Sequence, residues 1–99
     1  MSSLPIDDYI LDRLMPDLVG HDRQPSAFLV YLLLWRQTHG AGSPTTQIAL
    51  RDLADATGLS KRAVQEALTR LVRRKLIHVD RAGITAVPVY TVNRPWKGR

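Results

Sequence analysis

Apolar residues recur at helical spacing in four stretches of the chain, and beyond residue 75 they change to the tighter repeat of extended backbone. Ile6, Tyr9, Ile10 and Leu14 fall on one helical face, with Pro5 ahead of them suited to a first turn where its missing N–H is no loss. This predicts an N-terminal helix of about ten residues, ended by Pro16 and Gly20 and followed by a polar connection over 21–24. Ser26 is placed to cap a second helix from Ala27 to about His39, with Gly40 as its left-handed stop. Almost every position over 28–35 is apolar, so this helix belongs in the middle of the core.

Gly, Ser, Pro and Thr cluster over 40–47, a loop by composition. The helical period returns at Leu50, Leu53 and Ala54 and breaks at Gly58. Ser60 then offers its hydroxyl as the cap of a longer helix over 60–75, in which Val64, Ala67, Leu68, Leu71 and Val72 share a face. Two β-prone runs, 76–79 and 84–90, flank Asp80-Arg81-Ala82-Gly83, which reads as a hairpin connection. Pro88 cannot donate to a ladder and marks an edge or a bulge. Residues 93–99 read as a poorly ordered basic tail. The fold class is mainly α with a small β-hairpin wing, a winged helix-turn-helix with an extra N-terminal helix.

The two helices around Gly58 carry the functional reading. A short turn between helices holds a fixed crossing angle when small residues stand where the backbones approach. Ala54 and Gly58 meet that need, Val64 packs back, and Leu59 plugs the core beneath the turn. Opposite Val64, Leu68 and Leu71 lie Arg62, Glu66, Thr69 and Arg73, flanked by Gln65 and Arg70. Base contacts are assigned to Lys61, Arg62, Gln65, Glu66 and Thr69, since the first turns of such a helix enter the major groove. Arg62 suits guanine, Gln65 adenine, and Glu66 either accepts from cytosine or steadies Arg62 and Arg70 at a spacing of four. Phosphate contacts are assigned to Ser60, Arg70, Arg73, Arg74 and Lys75, and to Arg81 in the wing.

Charge supports this placement. Residues 1–59 carry four arginines against seven aspartates, a balance of −3, whereas residues 60–99 carry ten lysines and arginines against Glu66 and Asp80, a balance of +8. One end of the molecule therefore attracts a polyanion, and double-stranded DNA is the expected partner. The chain of 99 residues, 44% hydrophobic and 23% charged, fits one globular domain. Its parts are the N-terminal helix and connection (1–24), a core (25–92) and the tail (93–99). The longest apolar run, 28–35, is far short of the roughly 20 residues of a membrane span, and the start lacks the basic and apolar regions of a secretory signal. A cytoplasmic location is expected, and the absence of cysteine agrees with it.

Candidate chemistry is sparse. His21, His39 and His78 are far apart in sequence and have no cysteine partners, so no zinc signature exists. Asp7-Asp8 falls in a first helical turn, where carboxylates favour the positive end of the dipole. No phosphate loop, nucleophile elbow or metalloprotease motif occurs. Catalysis, a cofactor, a metal and a small-molecule ligand are accordingly not expected. Trp35, ending an apolar helix, is read as core rather than a stacking platform. Trp96, in the tail, is read either as docking on the domain or as touching a partner.

Leu53-Ala54, Thr57-Gly58-Leu59-Ser60, Val64, Leu68, Leu71 and Lys75-Leu76-Ile77 resemble the winged helix-turn-helix of bacterial regulators and replication initiators. Leu4-Pro5-Ile6, Leu14, the run over 28–34 and Arg36-Gln37-Thr38-His39-Gly40 are similar to the amino-terminal DNA-binding region of phage O-type replication proteins. The resemblance implies a short strand near Ile48, a recognition helix from Ser60 and a wing around Arg81 against the DNA backbone or minor groove. Ala49 departs from it, standing where such proteins carry a capping Ser or Thr. A helicase-recruiting or effector region, which a complete initiator or ligand-responsive regulator would need, is not expected within these 99 residues.

Three functions follow in order. The first is sequence-specific DNA binding in transcription control as a homodimer on a two-fold site, with Tyr9 and Ile10 of the first helix as the dimer contact. The second is an origin-binding module of phage or plasmid replication. The third is a protein-interaction winged helix without a DNA role.

Overall fold

The computed structural model describes residues 3–83 and 86–97. Helix α1 (Pro25–Gln37) lies at the centre, with Ala27, Phe28, Val30, Tyr31, Leu34 and Trp35 buried along it. Against it pack α2 (Leu50–Thr57), α3 (Lys61–Arg73) and an N-terminal helical stretch. A three-stranded antiparallel sheet closes the core, in the order β1 (Thr45–Gln47), β3 (Val89–Val92), β2 (Ile77–Asp80). Tyr90 sits opposite Thr46 on one side and Val79 on the other. The domain is thus mainly helical, with a small sheet whose β2–β3 connection forms the wing.

The N-terminal stretch differs from its expected form. It consists of two π-helical segments, Ile10–Leu14 and Pro16–His21, so helical backbone passes both Pro16 and Gly20 instead of ending there. Met15 N–H reaches back five residues to Ile10 O, and Asp22 N–H bonds Asp17 O at 2.8 Å. Pro16 stands first in the second segment, where an absent N–H leaves little unpaired. Ile10, Leu14 and Leu18 turn inward and are buried. Ile10 is therefore withdrawn from the surface contact the sequence suggested, while Tyr9 is engaged by the tail.

Helix α1 begins at Pro25, one residue before the expected cap, so Ser26 lies inside the first turn and Gln24 precedes the helix. The left-handed stop falls at Gly42 (φ 70°), not Gly40. Gly40 belongs to a 3₁₀ turn, His39–Ala41, whose backbone is pressed against the Leu4 side chain, leaving no space for a Cβ. The strand implied near Ile48 ends one residue before it. Ala49 precedes α2 in extended conformation and makes no side-chain cap.

The hairpin runs later than its sequence indicated. Strand β3 starts only after Pro88, and residues 81–88 connect it to β2; Ile84 and Thr85 lie outside the described residues. Proline explains the shift, since a residue without N–H cannot take a ladder position. Its carbonyl instead accepts from Ile48 N–H at 3.3 Å.

Over its described residues, 93–97, the tail is docked where disorder was expected; residues 98–99 lie outside the described residues. Asn93 N–H bonds Leu76 O at 2.9 Å, and Tyr31 donates its hydroxyl to Asn93 O at 2.8 Å. Trp96 stacks on Tyr9 with centroids 4.7 Å apart and donates Nε1–H to Asp7 Oδ2 at 3.1 Å. Arg94 pairs with the same carboxylate at 3.5 Å. Trp35 is buried as expected, donates to Pro5 O at 2.9 Å and meets the His39 ring in a tilted contact with centroids 4.3 Å apart. Burial first, then the Asp7 charge, pushes the Tyr31 phenol well above its ordinary pKa, with Arg94 opposing. The two ends of the described chain are thereby clasped together.

Candidate nucleic-acid interface

The interface is organised by the turn between α2 and α3. Gly58 takes φ 79°, a value a side chain resists, and its N–H closes α2 onto Ala54 O at 2.9 Å. Ser60, in extended conformation, accepts from Ala63 N–H at 3.1 Å and starts α3. Val64, Ala67 and Leu71 are buried beneath the helix, with Leu68 partly buried at one edge. This inner face fixes the rotation of α3 and turns its polar residues outward.

Lys61, Arg62, Gln65, Glu66 and Thr69, the residues assigned to bases, are all exposed. Arg62 and Glu66 form an ion pair at 3.5 Å, with the Arg62 side chain 87% exposed. Such a pair contributes about 0.3–0.5 kcal/mol and gives way readily to a competing partner. Thr69 donates its hydroxyl to Gln65 O at 3.0 Å, which leaves its oxygen as an acceptor and its methyl as an apolar contact.

The residues assigned to phosphates divide into two groups. Ser60, Arg73, Lys75 and Arg81 are exposed. Arg70 and Arg74 instead turn back to the N-terminal stretch. Arg70 donates to Gln24 Oε1 at 3.1 Å and lies 4.0 Å from Asp22 Oδ2, an ion pair too long to be a hydrogen bond. Arg74 bonds Asp17 and, at 3.4 Å, Asp22 Oδ1. Asp22 has a side chain only 5% exposed, and an isolated carboxylate there would be costly; the two guanidiniums compensate it. Asp17, His21 and Asp22 form a cluster of metal-ligand types among the described residues, and the Arg74 guanidinium already occupies its carboxylates.

Two concavities flank the outward ridge. One lies between α3 and residues 22–24, where Asp22, Arg23 and Gln24 face Glu66, Thr69 and Arg70. The other lies toward the wing, where Arg81, Pro88 and Tyr90 face Gln65, Leu68 and Thr69. Burial pushes the Tyr90 phenol up, with Arg81 pulling it down. The strap over 22–24 was absent from the sequence-based site. Its hydrogen-bond partners Arg70 and Arg74 are 46 and 52 residues away in the chain, beyond any local pattern.

The profile of the family described as bacteriophage replication protein O matches residues 5–94. The chain belongs to the replication protein O family. That match takes in the π-helical stretch, α1, the α2–α3 unit, the sheet and the start of the docked tail. Neither the curated proteins nor the solved structures provide a match. Membership favours the replication reading over transcription control, which stood first on sequence grounds. Among the described residues of this family member, no helix is long and apolar enough to cross a membrane.

Proposed function

We propose that the chain is the origin-binding module of a phage-type replication protein, acting without catalysis by laying α3 in the major groove of duplex DNA. The observation that carries this reading is the exposed ridge of Arg62, Gln65, Thr69 and Arg73 on a helix whose opposite face is locked into the core. Family membership supports replication as the process. Arg62 and Gln65 offer bidentate geometry to guanine and adenine, each good pair discriminating by about 1–3 kcal/mol. Arg73, Lys75 and Arg81 give salt-dependent affinity. Arg70 and Arg74 act mainly by fixing the helix to the strap.

Selection of bound sites from random duplex DNA tests this reading. Enrichment of a motif repeated at a replication origin is expected, and Arg62→Ala with Gln65→Ala should relax the selected bases. Binding with no motif, or unchanged selection by the double variant, overturns it.

A homodimer belongs to the same proposal, because a single module buries only about 600–1,000 Å² on DNA. Leu11, Met15 and Val19, exposed at a spacing of four along the π-helical stretch, supply an apolar stripe in place of buried Ile10. Sedimentation should show a dimer that Met15→Glu dissociates.

A further inference from the structure

We infer that Arg23 is a DNA-phosphate contact on the strap side of α3, so that the ridge is gripped from two sides, by Arg23 and by Arg81. This rests on the reading of α3 as the DNA-facing helix.

Position supplies the first argument. Arg70 and Leu68 stand about 200° apart around α3, on opposite sides of the ridge. The strap concavity takes in Arg70 and the wing concavity takes in Leu68, while Gln65 and Thr69 border both. Arg23 therefore occupies, across the ridge, a place corresponding to that of Arg81.

Backbone supplies the second argument. Arg23 is held at φ 54°, and Lys75 at φ 58°, the only non-glycine residues with positive φ among the described residues. A side chain there is strained, and glycine or asparagine is the usual occupant. Both positions carry an exposed cation. Each follows a helix end, where a left-handed residue closes the last turn, so the direction in which its side chain leaves the backbone is fixed by that cap.

Rigidity and charge supply the third. The strap is anchored on both sides of Arg23: Asp22 by Arg74 and by Asp22 N–H to Asp17 O, Gln24 by Arg70 and by Gln24 N–H to Leu18 O at 2.9 Å. Of the charges around the concavity, Asp22 is compensated by Arg70 and Arg74, and Glu66 by Arg62. Arg23 and Arg73 remain to set a positive field. An arginine on a fixed strap loses little backbone freedom on binding a phosphate, which favours a contact of this kind.

The test is fluorescence anisotropy with a labelled mixed-sequence duplex, read across about 50 to 200 mM salt. Arg23→Gly removes the charge and the backbone strain together, so weaker binding cannot be ascribed to unfolding; Arg23→Lys keeps the charge. The expected result is a slope of log affinity against log salt lowered by about 0.9 for Arg23→Gly, with roughly five-fold weaker binding at low salt. Arg23→Lys should keep the wild-type slope. Arg36→Ala, on an exposed position of α1 that borders neither concavity, should also keep it, showing that not every lost charge changes the slope. A wild-type slope for Arg23→Gly overturns the inference while leaving α3 as the DNA-facing helix. Absence of salt-dependent binding by the wild-type protein overturns both.

Discussion

The two flanks of α3 are held by opposite kinds of force. On the strap side the attachments are directional and charged: Arg70 to Gln24, and Arg74 to Asp17 and Asp22. On the wing side Leu68 and Val79 pack against the core cluster that holds Tyr90, an apolar attachment with no ion pair among the described residues. The first kind is orientation-specific and weakened by salt; the second is non-directional and indifferent to it. A helix steadied in both ways keeps its rotation from the ion pairs and its depth from the packing.

The largest expected effect breaks the wing side. Tyr90→Ala removes a buried ring, and urea melts should show a loss of about 3–4 kcal/mol, equal at low and high salt. Asp22→Ala breaks the strap side and leaves two guanidiniums without their shared carboxylate. It should cost about 2 kcal/mol in the same melts, with the loss shrinking slightly as salt rises, since a mostly buried pair is screened less than an exposed one. Equal salt dependence for the two variants would remove the distinction between the flanks. A smaller change sharpens the comparison: Ala49→Ser supplies the missing cap of α2 in a backbone already extended, and should raise stability by about 1 kcal/mol irrespective of salt.

The smallest effect belongs to neither flank. The Tyr31 phenol is raised above its unfolded value of 10.0, so its contribution is complete below that pH and is lost as pH rises toward the folded value. Melting temperature should fall above about pH 10, and Tyr31→Phe should flatten part of that fall at the cost of about 1 kcal/mol for the lost bond to Asn93.

Most of α2 and α3 was legible because their signals are local. Gly58 and Ser60 act within a few residues, and the period of Val64, Ala67 and Leu71 faces one core. The outward set, Lys61 to Thr69, followed from that same period. What escaped depended on residues distant in the chain. Nothing near Arg74 announces Asp17, and nothing near Trp96 announces Tyr9 or Asp7. The division of labour along α3 was accordingly misplaced. The boundary runs around the helix, with Arg73 outward and Arg70 and Arg74 inward, and not only from its first turns to its last. Pro16 misled for another reason: its rule concerns helix interiors, and here it opens a second π-helical segment.

The clasp has a spectroscopic consequence. Both tryptophans of the chain lie in it, Trp35 with centroid 6.3 Å from Tyr31 and Trp96 at 6.5 Å, and neither borders the concavities beside α3. Intrinsic emission is thus a native gauge of whether the tail is seated, reporting on the far ends of the described chain while α3, which carries no aromatic side chain, stays optically silent.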